Sequence, residues 1–183
     1  MVTTMDDRRR VFLYELIGMF FIIILGSLLH FTFELSGHQA IVGVFSAVNE
    51  SVWEHLKLSY WPALAYALIE YRYLKKYTTN FMTAKTVGIY LMPILITIFF
   101  YGYTAFIEDS LIMDILTFIL AIIIGQLASY KLLTSKELPK NFEKISLIAV
   151  VILGLAFLIF TFYPPQLPIF QDPVTGEYGI VNH

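Results

Sequence analysis

The stretch Val48-Asn49-Glu50-Ser51-Val52-Trp53-Glu54-His55-Leu56-Lys57-Leu58 is the most polar window in the apolar part of this chain, and its placement decides the fold. On its two sides lie Ile41 to Val48 and Leu58 to Ile69. Both are uncharged, and both are shorter than the roughly 20 apolar residues that a helix needs to cross a bilayer. A helix that starts near Asn49 or Glu50 and runs to about Tyr73 resolves this. Asn49 or Ser51 then serves as N-cap, and acids in the first turn suit the positive end of the helix dipole. Ile41 to Val48 becomes a short helix that lies at the interface or re-enters the membrane.

Outward from this window the spans are plainer. Val11 to Leu29 is broken only by Glu15, Thr86 to Ile107 carries no charge, Ser110 to Tyr130 holds only Asp114, and Ile145 to Tyr163 is uncharged up to its end. The first of these follows Arg8, Arg9 and Arg10 but is too long for a secretory signal peptide and lacks a small-residue cleavage site, so it is expected to stay as an anchor. The predicted fold is all-α: a polytopic transmembrane helical bundle of five spans (about 11–29, 50–73, 86–107, 110–131 and 145–163) plus the short interfacial or re-entrant helix. Residues 1–163 form one domain in this reading, and 164–183 a tail or lid.

Composition agrees. Of 183 residues, 58% are hydrophobic and 14% charged, against about 25% charged in ordinary soluble domains. A net charge of −2 without a basic stripe argues against a nucleic-acid binder. The absence of cysteine removes disulfides, thiolate metal sites and cysteine nucleophiles together.

The basic residues set an orientation. Arg8 to Arg10 precede the first span, Arg72, Lys75, Lys76 and Lys85 lie between the second and third, and Lys131, Lys136, Lys140 and Lys144 lie between the fourth and fifth. The other loops hold acids and His38. Five spans place all three basic clusters on one side, so the expected topology is a multi-pass cell-membrane protein with its N-terminus cytoplasmic and its C-terminus extracytoplasmic. Lys57 is the one base outside those clusters.

That topology gathers His30, the window from Asn49 to Lys57, Glu108, Asp109, Asp114 and the C-terminal tail at the outer face. An ionisable residue inside a span marks a functional site by default. Lys57 lies roughly 10 Å along the helix from its start, and is expected to need an acid, with Asp114 one partner, or a water-filled cavity. Glu50, Trp53, Glu54, Lys57 and Trp61 share one helical stripe, and Ser51, His55 and Ser59 an adjacent one. One reading makes this an outward-facing polar pocket in which Glu50, Glu54 and His55 do proton or metal chemistry. The other makes Glu54 and Lys57 a structural i,i+3 ion pair, with Glu50 and Ser51 capping the helix. Ligand-binding candidates are His30, Asn49, Glu50, Ser51, Trp53, Glu54, His55, Lys57 and Asp114. A metal would draw on His30, His38, Glu50, Glu54 and His55, foremost His30, Glu54 and His55, but no His-x-x-x-His pair exists. Elsewhere, Glu15 is expected to reach the inner interface or a basic partner, Gln126 to bond across helices, and Gly102, Gly125 and Gly154 to permit close helix packing.

The tail after Pro164-Pro165 pairs Leu167 to Phe170 with Tyr178 to Val181 around Asp172-Pro173 and Thr175-Gly176, a pattern for a small hairpin or folded loop. Together with the window at 48–58, His30-Phe31 and Ser36-Gly37, it resembles a family of small uncharacterised prokaryotic integral membrane proteins, a domain of unknown function with an Asn-Glu-Ser-x-Trp-Glu-His-Leu-Lys motif. The resemblance spans nearly the whole chain, and implies that the two motifs belong to one site but no activity. The window is also similar to the first motif of zinc-binding ceramidase and adiponectin-receptor-like membrane hydrolases. The spacing from Glu50 to His55 is shorter here, the later His pair is absent and five spans replace seven, so their activity is not carried over.

Three classes remain open: a protein that binds or translocates a small ligand, ion or proton; an intramembrane hydrolase of a lipid or other amphiphile, metal-dependent in one version; and a structural membrane subunit. The bilayer is the expected partner, with a small ligand, ion, lipid or second copy as further ones. The sequence names no cofactor.

Overall fold

The structure, a computed structural model, describes residues 4–180. Helix α1, Met5–Leu35, opens on a reciprocal cap: the Thr4 hydroxyl accepts the Asp7 amide at 3.2 Å, and the Asp7 carboxylate accepts the Thr4 amide at 3.1 Å. A one-turn helix α2, Ala40–Gly43, follows, and then α3, Val52–Leu74, α4, Phe81–Thr104, α5, Leu111–Leu133, and α6, Asn141–Phe162. Helix α1 ends at Ser36-Gly37, α5 at Thr134-Ser135 and α6 just before Pro164-Pro165, residues that favour turns over continued helix.

Helices α1, α3, α4 and α5 form a ring in which each packs on the next, and α6 packs on the outer side of α4. The core between them holds Met19, Ile22, Leu56, Tyr60, Met92, Ile122 and Phe157, and a smaller cluster of Val11, Leu74, Phe81 and Leu133 closes the end where the basic residues lie. At the α4–α5 crossing, a Cβ added to Gly125 would stand 3.1 Å from the Gly88 carbonyl oxygen, so small residues set the helix separation. Gly154 does the same for Tyr60, whose hydroxyl donates to the Val150 carbonyl at 2.8 Å. Gly102, expected to pack closely, has nothing within 4 Å of a built Cβ.

Four helices are long and apolar enough to cross a membrane: α1, α4, α5 and α6. The five-span expectation is therefore met in a coarser form. The second expected span exists as α3, which at 23 residues and 1.5 Å per residue is about 34 Å long, but its charges set it apart from the other four. Only a single turn, α2, forms in the stretch expected to be a short interfacial or re-entrant helix.

Burial is inverted relative to a water-soluble protein. On α1, Ile17, Phe20, Ile24, Leu28 and Phe31, spaced by three and four, are each 57–61% exposed, whereas Glu15, Glu54, Lys57, Glu70 and Lys85 are all at most 5% exposed. An outer surface of this kind is compatible with a membrane protein, because water would not tolerate so continuous an apolar face.

Beyond α6 the chain makes a 3₁₀ turn, Pro168–Phe170, and a single antiparallel bridge between Gln171 and Tyr178. The Asp172 carboxylate closes the loop between them by accepting the Val174 amide and the Thr175 hydroxyl, each at 2.9 Å. Phe170 is buried, its ring centroid 4.7 Å from that of Trp53 and 5.5 Å from that of Phe160. The Asn49 side-chain amide donates to the Gly179 carbonyl at 2.9 Å, which ties the tail to the start of α3. Val181, part of the expected hairpin, lies outside the described residues. Replacing Phe170 by Ala leaves a cavity against Trp53 and is expected to cost about 3 kcal/mol, seen as a lower midpoint of thermal unfolding in detergent; an unchanged midpoint would show that the tail is not docked.

Candidate functional site

At the end of the bundle away from the basic clusters, the segment between α1 and α3 is bound to both helices. Ser46 inserts its hydroxyl into the last turns of α1, accepting the Phe33 amide at 3.1 Å and donating to the Leu29 carbonyl. Asn49 Oδ1 accepts the Ser51 amide at 2.9 Å, and the Ser51 hydroxyl in turn accepts the Glu54 amide at 3.4 Å. Of the two expected caps, Ser51 therefore starts the helix, and Asn49 shapes the turn before it.

This turn separates the acids of the window. Glu54 points into the bundle and pairs with Lys57 at 2.5 Å, three residues on. Lys57 is fully buried and uses all three of its N–H groups: on Glu54, on the Gly43 carbonyl at 2.7 Å and on the Thr161 hydroxyl at 2.8 Å. Glu54 also accepts the Val48 amide at 3.1 Å. Of the partners the sequence offers Lys57, the structure supplies Glu54, as in the i,i+3 reading, and Asp114 instead meets Tyr103. The arrangement has one negative and one positive charge and satisfies the ammonium, which is what a charge pair away from water requires.

Glu50 turns the other way. It meets His30 from the end of α1 and His55 from the first turn of α3. The two Nε2 atoms are 3.1 Å apart, and Glu50 Oε2 lies 3.4 Å from His55 Nε2 and 3.7 Å from His30 Nε2. The three side chains keep 33% (His30), 51% (Glu50) and 30% (His55) of their surface exposed, so the group faces outward from the bundle. His55 Nδ1 stands 2.8 Å from the Ser51 carbonyl. A carbonyl oxygen only accepts, so Nδ1 carries the proton and, in the neutral ring, Nε2 presents its lone pair to the group. When His55 takes a second proton, its Nε2 donates to Glu50; that hydrogen bond, with the charges on His55 and then His30, holds the Glu50 carboxyl below the usual carboxylate range despite its partial burial.

Asp114, on the first turn of α5, lies near enough to His55 for their charges to interact. Its carboxylate is 2.5 Å from the Tyr103 hydroxyl, which is also 2.7 Å from Asp109. Trp53 belongs to the aromatic contact with the tail. Of the expected metal ligands, His30, Glu50 and His55 come together within 4.8 Å. Glu54 does not join them, being held by Lys57, and His38 sits apart on Phe33 with a positive φ of 62°.

The arrangement suits a metal ion chemically. Donors 2.0–2.1 Å from a tetrahedral ion stand roughly 3.3–3.4 Å from one another, against 3.1, 3.4 and 3.7 Å observed. The Ser51 carbonyl on His55 Nδ1 is the kind of outer contact that fixes a ligating imidazole. Two nitrogens and one oxygen leave a fourth position open.

A family model described as a family of unknown function (DUF6512) matches residues 4–180. The chain belongs to that family. No protein of curated function and no solved structure matches it. Membership covers both the window at 48–58 and the tail, but it assigns no residue a role.

Reasoning from sequence missed one charged cluster. The uncharged run that opens at Thr86 leaves Lys85 among the loop bases, yet α4 begins at Phe81 and buries it against Glu15 and Glu70. The available signal was spacing: Lys85 lies one turn into a helix whose neighbours, Ala84, Thr86 and Gly88, are small. Gln126 behaves as expected, its amide donating to the Glu15 carbonyl at 3.3 Å.

Lys57→Met alone strands the Glu54 carboxylate and is expected to cost on the order of 3 kcal/mol or more. Glu54→Gln combined with Lys57→Met should recover most of that loss. Thermal unfolding of the two variants and of Glu54→Gln alone gives the coupling; independent, additive losses would show that the pair is not the holding contact.

Proposed function

We propose that this protein is an integral membrane protein of five spans, with α3 as the second, that binds a divalent transition-metal cation in an outward-facing polar pocket. His30, Glu50 and His55 supply the ligands. The N-terminus and the basic clusters lie in the cytoplasm, and the C-terminal tail lies outside, close over the start of α3. The convergence of three donors from two helices and a loop, with the imidazole of His55 oriented by Ser51, carries this reading. A nitrogen-rich donor set with one carboxylate favours zinc and its borderline neighbours over magnesium or calcium, which prefer oxygen.

Titrating purified protein in detergent with Zn²⁺, followed by calorimetry, is expected to show one site per chain. His30→Ala, His55→Ala and Glu50→Gln should each weaken it at least about tenfold, the scale on which even outer-contact losses act, while Glu54→Gln retains it. Binding no stronger than that of protein-free micelles, or equal in all variants, overturns the proposal. For orientation, a C-terminal alkaline phosphatase fusion is expected to be active and a C-terminal green fluorescent protein fusion dark. The opposite pattern reverses the topology.

The open fourth position favours one second reading, a metal-dependent hydrolase of an amphiphile. A metal-bound water there would be the nucleophile, with His55 held in place by the Ser51 carbonyl. Hydrolysis of a lipid-like ester or amide by zinc-loaded protein, lost in Glu50→Gln, would select this reading over simple binding.

A further inference from the structure

A second charged cluster lies at the opposite end of the bundle and differs from the Glu54–Lys57 pair in one decisive respect. Lys85 on α4 contacts two carboxylates, Glu15 on α1 at 2.5 Å and Glu70 on α3. All three side chains are buried, with 6% or less of their surface exposed. The Ser129 hydroxyl on α5 donates to Glu15 Oε1 at 3.1 Å. Glu15 Oε2 and Glu70 Oε1 are buried without a hydrogen-bond partner.

The other groups facing the cluster do not neutralise it. Tyr66 on α3 donates its hydroxyl to the Tyr14 carbonyl on α1 at 2.7 Å, and α5 contributes only the neutral Gln126 and Ser129. From α6, Glu143 accepts the Met82 amide at the start of α4 and is itself an acid. Two carboxylates and one ammonium leave one uncompensated negative charge away from water. Burying such a charge is far more costly than adding a proton to it.

We propose that Glu15 and Glu70 together hold one exchangeable proton beside Lys85, which makes this cluster a proton-binding site at the basic end of the bundle. One proton brings the cluster to neutrality and turns a carboxylate oxygen that lacks a donor into a donor. The proton comes from water and returns to it, and no other reactant is needed. The route to water is short, since the cluster lies at the end of the bundle where the basic residues gather. Lys85 lies four residues, about 6 Å, from the start of α4. Because the three charged groups sit on three helices, gain or loss of the proton changes the attraction that holds α1, α3 and α4 together. The inference is independent of the metal reading, since no residue is shared.

The test is infrared spectroscopy of the whole protein in detergent at neutral pH. The expected result is a carbonyl stretch of a protonated carboxylic acid that shifts in D₂O and shifts again when the glutamates carry ¹³C in their carboxyl groups. Glu15→Gln and Glu70→Gln should each abolish that glutamate component, because either change leaves one acid facing one lysine. Absence of the ¹³C-sensitive component from wild-type protein overturns the proposal whether or not the variants fold. So does its persistence in either folded variant.

Discussion

Helix α3 must carry Glu54, Lys57 and Glu70 on the inward face of a bundle whose outer surface is apolar, and the rest of the structure follows from that constraint. A charged group in such surroundings needs a partner supplied by the protein. Helices α1, α4 and α6 therefore pack against α3, and the segment before it folds back so that Gly43 and Val48 can bond to Lys57 and Glu54. The same folding aims Glu50 away from the interior and towards His30 and His55. The polar group at the mouth is thus a consequence of how the interior charges are satisfied.

The two buried charge clusters use the same residue types to different ends. At Glu54 and Lys57 the charges cancel and every ammonium N–H is used, so the pair acts as a fixed joint between α3, the α2 turn and α6. At Glu15, Glu70 and Lys85 the acids outnumber the base and two carboxylate oxygens lack donors. Stoichiometry, and not burial, separates a structural pair from a site with chemistry left to do. The tail adds a further link at the first cluster's end, where Phe170 covers Trp53 and Gly179 takes the Asn49 amide.

Much of the fold was legible in the sequence because apolar length is a one-dimensional property. Residues 86–107, 110–131 and 145–163 each overlap one helix long and apolar enough to cross a membrane, though α4 starts five residues earlier than drawn. That offset has a physical cause: an apolar run stops at the first charge, whereas a helix continues through a charge that finds a partner. Lys85 was hidden for this reason. The site was legible in part. The window, His30 and Asp114 were all singled out, but spacing along one helix grouped Glu50 with Glu54 and Lys57, and the turn at Asn49–Ser51 takes Glu50 out of that helix.

The sequence by itself determined that the chain is helical and apolar enough for a membrane, and that one nine-residue window concentrates charge at a helix start, because composition and period need no partner to be read. Only the tertiary structure decided which acid meets which base. Glu54 goes to Lys57, Glu50 to the two histidines, and Glu15 and Glu70 to Lys85, from positions up to 70 residues apart. Such pairings depend on which helices stand side by side and how each is rotated, and those follow from packing small residues such as Gly88 and Gly125 at the crossings, which a linear pattern does not encode.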